Sequence, residues 1–124
     1  MIAADTSSLS AYFRGEAGAD VVTVATALST GAIVLPLVVQ TELLSDPTAI
    51  SAMMETVLNF VLLPVLDGYW QRAGDARRLL MTKGYRAKIA DALIAQSCID
   101  HDVALITRDA DFRHFAKYCG LKLA

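Results

Sequence analysis

The residues of this chain best suited to chemistry are acids placed where strands end. Thr107-Arg108-Asp109-Ala110-Asp111-Phe112 follows the apolar run Val103-Ala104-Leu105-Ile106. Such a run reads as a buried strand that breaks into a polar loop with two carboxylates. In an open parallel sheet, reactive groups gather just beyond the carboxyl ends of the strands. Carboxylates crowded there are costly unless a cation sits between them. Asp5 fits the same description, because Met1 to Ala4 is a short apolar entry into Asp5-Thr6-Ser7-Ser8. Two further acids are candidates for the same place: Glu42, the lone acid in Leu37 to Ser45, and Asp91 in Ala90-Asp91-Ala92-Leu93-Ile94-Ala95.

The elements that must position these acids alternate along the chain. Met1 to Ala4 predicts a first strand, and the Asp, Thr and Ser that follow are preferred helix N-caps. Leu9, Tyr12 and Phe13 continue at helical spacing. A second helix is expected from about Asp20 to Thr30, with Val21, Val24, Ala25 and Leu28 on one face and Gly31 as its stop. Ala32 to Leu35 predicts a second buried strand closed by Pro36. Leu37 to Ser45 then reads as a helix entering the core, where Glu42 requires a partner because an unpaired buried charge is very unfavourable. Asp46-Pro47 breaks the chain.

Ile50, Met53, Met54, Val57, Leu58 and Val61 follow the period of one apolar helix face, a face for the core or for a partner protein. Val61 to Val65 is a third strand candidate. Asp67 is expected to cap a helix through about Met81, ended by Thr82-Lys83-Gly84. Asp91 lies in the first turn of the last long helix, favoured there by the helix dipole alone. Asp111 to Tyr118 predicts a short helix, and Leu121-Lys122-Leu123 a final edge strand. This alternation argues for an α/β fold, a three-layer α/β/α sandwich on a parallel sheet.

Asp5 and Asp109 both end strands, so they share one edge of such a sheet and are neighbours if their strands are. Asp91 starts the helix that feeds the Val103–Ile106 strand, which by connectivity alone belongs at the opposite edge. Convergence requires the segment Lys83 to Lys88 to cross back over the carboxyl edge.

Composition narrows the class. The chain has 124 residues, 55% of them hydrophobic and 19% charged, which suits a single domain over 1–124. No apolar run approaches the ~20 residues of a membrane span, and no basic segment precedes Asp5 as in a signal peptide. Two cysteines, Cys98 and Cys119, suggest no disulfide framework and therefore a reducing, cytoplasmic setting. The net charge is -2, yet Arg72, Arg77, Arg78, Lys83, Arg86 and Lys88 place six of the 11 Lys and Arg in one segment. A local basic surface can coexist with a globally acidic protein, although a solvated helix face is the simpler account of a charge cluster alone.

In order along the chain, Asp5-Thr6-Ser7, Gln40-Thr41-Glu42-Leu43, Asp91-Ala92-Leu93-Ile94-Ala95 and Thr107-Arg108-Asp109-Ala110-Asp111-Phe112 resemble the PIN domain family, and within it the VapC-type toxins of toxin–antitoxin pairs. The resemblance covers essentially the whole chain. Ala3 and Ala4 depart from it, being smaller than the bulky aliphatics usual in that strand.

The resemblance implies a metal-dependent ribonuclease on a parallel sheet of about five strands. Hard oxygen ligands without a His or Cys cluster favour Mg²⁺ or Mn²⁺ over zinc, and such an ion would activate water against a phosphodiester. It implies Asp5, Glu42, Asp91 and Asp109 as catalytic residues, with Asp5, Asp91 and Asp109 as metal ligands, directly or through water. Glu42 would bind a second ion or act as a base. Asp111 would orient metal-bound water or serve, with Thr107, as a helix cap; Thr6 and Ser7 would orient Asp5 or cap its helix. Arg72, Arg77, Arg78, Arg86, Lys88 and Arg108 become candidates for RNA phosphate contacts. A cognate antitoxin and a homodimer are the expected protein partners. Two other readings are a receiver-like phosphoacceptor domain, for which Asp5 lacks an adjacent acid, and an idle binding protein on the PIN scaffold. His101, His114, Cys98, Tyr69 and Trp70 read as structural or solvent-facing residues.

Overall fold

The first strand, β1 (Ile2–Ala4), lies inside a parallel sheet, and its neighbours explain how distant acids meet. In the computed structural model, which describes residues 1–124, β1 is flanked by β2 (Ile33–Leu35) and β4 (Leu105–Ile106), and β3 (Val61–Leu62) lies outside β2. The order is β3-β2-β1-β4. Register pairs Ala3 with Val34 on one side and with Leu105 on the other. The expected last strand contracts to a single parallel bridge, Leu123 to Leu105, on the outer edge of β4. All the paired strands run in one direction, so Asp5 and the loop after β4 emerge side by side.

Seven helices flank the sheet: α1 (Thr6–Phe13), α2 (Ala19–Ser29), α3 (Leu37–Leu44), α4 (Ser51–Leu58), α5 (Tyr69–Thr82), α6 (Ile89–Asp100) and α7 (Arg113–Cys119). The α/β layering expected from the alternation is present. Ala3, Ala4, Leu9, Leu35, Leu43, Leu80, Leu105, Ile106, Phe112 and Phe115 are among the residues of one continuous core. Burying aliphatic and aromatic side chains of this kind stabilises by about 1.5–3 kcal/mol each. The small side chains of Ala3 and Ala4 are fully buried.

Two local expectations are corrected, and a third is narrowed. Asp67 does not cap α5; the N-cap is Gly68 in the left-handed region at φ 80°. The Asp67 carbonyl instead accepts a hydrogen bond from Arg72 Nη1 at 2.8 Å, and a Cβ on Gly68 would meet that same nitrogen at 2.5 Å. Glu42 is exposed, because α3 turns it out of the core. The apolar face of α4 buries only Val57 completely, leaving Ile50 68% and Leu58 60% exposed.

The chain also recrosses the sheet elsewhere than expected. Helices α5 and α6 form an antiparallel pair: Arg72 near the start of α5 bonds Asp100 at the end of α6, while Arg77 Nε donates to the Ala87 carbonyl just before α6. The His101 ring, next to β4's entry, bonds the Pro64 carbonyl at 2.7 Å. Leu63 to Gly68 therefore makes the return to the amino edge. Lys83 to Lys88 is the turn between the two helices, and it delivers the start of α6 to the carboxyl edge. Asp91 reaches the other acids for that topological reason.

Candidate active site

Asp5 is the anchor of the carboxyl edge. Its backbone N–H bonds the Ile106 carbonyl at 3.0 Å, tying the ends of β1 and β4 together. It is also the N-cap of α1, with Oδ1 accepting from the Ser8 N–H at 3.2 Å, as an N-terminal carboxylate should. Ser7 Oγ donates to Oδ1 at 2.6 Å and Thr107 Oγ1 donates to Oδ2 at 2.7 Å. Only 4% of Asp5 is exposed. Burial raises its pKa above the ordinary carboxylate value, against the opposing pull of the Ser7 and Thr107 hydroxyls.

Thr107 joins this anchor to the next acid. Its hydroxyl oxygen accepts from the Asp109 N–H at 3.0 Å while its proton goes to Asp5. Asp109 in turn caps the 3-10 turn Ala110–Phe112, Oδ1 accepting from the Asp111 N–H at 2.9 Å. The cap is thus Asp109 and not Asp111. Ser7 Oγ also accepts from the Arg108 N–H at 3.3 Å, a second tie across the two strand ends.

Asp91, Asp109 and Asp111 come together at this edge: one carboxylate oxygen of each lies within 4.8 Å of the others. Asp91 is the third residue of α6, where the helix dipole favours its charge. Its pKa is nevertheless pushed up to about 6, first by burial and then by the Asp109 charge. Lys88 relieves this in part, and Asp111 and Asp5 add to it. The ion pairs of the chain all involve other carboxylates. Three acids with no protein cation between them are the arrangement that a divalent ion stabilises. The donor set is all hard oxygen, so the residues present fit Mg²⁺ or Mn²⁺.

The sequence-predicted residues therefore divide. Asp91 and Asp109 meet, and they meet Asp111, which the sequence placed behind them. Asp5 lies outside that trio, close enough to influence Asp91 through its charge. Glu42 is held one step further off, Oε1 accepting from Thr6 Oγ1 at 2.7 Å. The Thr6 hydroxyl thus orients Glu42, and Ser7 orients Asp5.

Of the cations, Arg72 forms a bidentate pair with Asp100, and Arg78 pairs with Asp75 at 3.0 Å. Arg77 is bonded to the Ala87 carbonyl. Arg108 clamps Asp20 through Nε at 2.8 Å and Nη2 at 3.1 Å, and approaches Glu16 at 3.6 Å. Arg86 and Lys88 are exposed and pair with no carboxylate.

Asp20 is a supporting residue that the sequence reading passed over as a helix start. It accepts from Ser8 Oγ at 2.8 Å as well as from Arg108, which holds its pKa down at about 2. The one available signal was its place in the first turn of α2, which any helix may share. Tyr69 is buried and donates to the Leu93 carbonyl at 2.6 Å, whereas Trp70 is 62% exposed.

Comparison with known proteins agrees with this geometry. The model of the PIN domain family matches residues 2–118. Among solved structures, the fold is similar to a member of the VapBC family of toxin-antitoxin systems, VapBC-5 from Mycobacterium tuberculosis, with TM-score 0.71 and 22% identity over 98% of this chain and 95% of that one. It is also similar to VapBC2 from Rickettsia felis bound to a DNA fragment from their promoter, with TM-score 0.70 and 17% identity over 100% of this chain and 98% of that one. At these identities the likeness establishes the fold. No curated protein matches the sequence.

Proposed function

The chain belongs to the PIN domain family, and we propose that it is a metal-dependent endoribonuclease of the VapC type, held in check by a cognate antitoxin. The observation that carries this reading is the meeting of Asp91, Asp109 and Asp111 at the sheet's carboxyl edge without a protein cation among them. Asp91 and Asp109 are the proposed metal ligands, with Asp111 beside them and Asp5 close enough to act on Asp91 through its charge. A bound Mg²⁺ or Mn²⁺ would supply an activated water and neutralise charge on the leaving oxygen.

The remaining work falls to the chain's own side chains. Asp5, fixed by Ser7, Ser8 and Thr107, sets the negative potential of the edge and holds the loop after β4 in place. Thr107 passes that constraint to Asp109. Glu42, whose Oε1 accepts from Thr6, is the carboxylate we assign to accepting a proton or binding a second ion. Arg108 is bound to Asp20 and Glu16, so its part is to brace the loop that carries Asp109.

The similarity to VapBC structures supports an antitoxin partner, and the exposed apolar face of α4 supports a protein–protein contact, which we assign to a homodimer. A receiver-like role is not favoured: both Asp5 carboxylate oxygens already accept hydrogen bonds. Nor is an idle scaffold, because Asp91, Asp109 and Asp111 are brought together with no ion pair to offset their charge.

The decisive experiment incubates purified protein with cellular RNA, with Mg²⁺ or with EDTA, and maps the new ends. Cleavage that requires the metal and is lost in Asp91→Asn and Asp109→Asn proteins that remain folded is the expected result. Full cleavage in EDTA would refute the metal assignment.

A further inference from the structure

The cations that no carboxylate pairs are not scattered. Apart from Arg77, which is half-buried on α5, they are Lys83, Arg86, Lys88, Arg113 and Lys117. All five are exposed and lie either on the α5–α6 turn or on α7. The two segments are joined by aromatic rings. Tyr85 stacks on His114 with centroids 3.9 Å apart and planes at 22°. The Tyr85 and Tyr118 hydroxyls are 3.2 Å apart. Lys83 Nζ stands 4.7 Å over the Tyr118 ring, and Lys117 Nζ 5.2 Å from it.

This patch borders the acids on both strands of connectivity. Lys88 is the N-cap of the helix that carries Asp91 and already lowers the cost of that charge. Arg113 donates to the Ala110 carbonyl, within the turn that holds Asp111. A positive, ring-bearing strip beside a negative cleft is what a nucleic-acid strand requires: phosphates seek the ammonium and guanidinium groups, and unpaired bases seek flat π faces. A base-paired duplex hides those faces in its own stack, so the rings select for single strands.

We propose that the Tyr85–His114 stack, with Lys83, Arg86, Lys88, Arg113 and Lys117 around it, is the subsite that holds single-stranded RNA next to the carboxylate cluster. It rests on the ribonuclease reading above and moves the main RNA surface away from Arg72, Arg77 and Arg78, which bond Asp100, the Ala87 carbonyl and Asp75. Lys83 and Lys117 serve phosphates, and the aromatic pair serves a base. These are positioning residues, assigned to holding the strand and not to the reacting bond.

The test measures binding of a fluorescent single-stranded RNA to the full chain in EDTA, which prevents turnover, across a salt series. Tyr85→Leu with His114→Ala removes the π faces and should weaken binding about 5- to 150-fold, the range for loss of one stacked base. Lys83→Gln with Lys117→Gln alters only exposed groups and should reduce the slope of log K against log salt by about 1.4, or ~0.7 per phosphate contact. Lys122→Gln, an equal charge change at a group paired with Asp102, should leave both quantities unchanged. Duplex RNA of the same length should bind more weakly than the single strand. In Mg²⁺ the lysine pair should raise KM with kcat little altered. Unchanged affinity and salt slope in both double variants, or equal binding of duplex and single strand, overturns the subsite. A wild-type protein that cleaves RNA while the variants cleave and bind as well as it does refutes this inference alone. A wild-type protein that neither binds nor cleaves RNA refutes the function on which it rests.

Discussion

Replacing Asp91 by Asn should stabilise the metal-free protein while abolishing its activity. Asp91 is a carboxylate whose pKa the fold pushes up from 3.8 to about 6, chiefly by burial and by Asp109. Below pH 3.8 it is protonated whether the chain is folded or not, and its ionisation contributes nothing. Between pH 3.8 and about 6 the unfolded chain gives up this proton and the folded chain keeps it, so stability falls as pH rises. Above about 6 the penalty is complete. At about 1.4 kcal/mol per pH unit the ceiling is about 3 kcal/mol, and screening of a half-buried group reduces this to about 1–2 kcal/mol. None of the perturbations acting on Asp91 is a hydrogen bond, so an amide of the same shape breaks none.

Urea unfolding of both proteins in EDTA at pH 7.5 and at pH 4.5 reads this directly. Asp91→Asn should be the more stable by about 1–2 kcal/mol at pH 7.5, with most of that advantage gone at pH 4.5. Added Mg²⁺ or Mn²⁺ should reverse the ranking. An ion at about 100 times its Kd stabilises a binding site by ~2.7 kcal/mol, and the variant lacks one of the proposed ligands. An Asp91→Asn protein no more stable than wild type at pH 7.5, or an advantage independent of pH, would refute the claim that crowded charge governs this edge.

Other consequences are equally concrete. Thr107→Val keeps the side-chain shape but leaves Asp5 Oδ2 and the Asp109 N–H without their partner, and should cost about 1–3 kcal/mol in chemical denaturation; Thr107→Ser should recover most of it, together with cleavage. Arg108→Ala should destabilise the protein at neutral pH, and the difference should vanish as pH falls through about 2, where Asp20 becomes protonated even in the wild type; acid titration of both proteins checks it. Met53→Asp with Met54→Asp places charge on the face of α4 and should convert a dimer to a monomer by light scattering; an unchanged mass removes that face from the interface.

Much of the fold was legible because its determinants are local. Asp5 accepts the Ser8 N–H as the cap immediately before α1, and Pro36 and Gly31 punctuate where their backbones require. The apolar runs ending in Asp5 and Thr107 are strands for the same reason. Glu42 was misread as buried because hydrophobic neighbours along the chain do not reveal which way a helix faces. Asp67 lost the cap to Gly68 because a residue in the left-handed region ends the preceding turn in one step.

The amino-acid order alone determined that strands alternate with helices and that acids stand where two of those strands stop, since capping and burial patterns act over a few residues. Tertiary structure decided the rest. Only the packing of α5 against α6 showed that Leu63 to Gly68 recrosses the sheet and that Asp91 arrives beside Asp109 and Asp111. Only folded contacts separated cations already bound by carboxylates from those left free around Tyr85 and His114. The physical reason is range: a cap or an apolar period is complete within one or two turns, whereas a charge finds its partner across the whole fold.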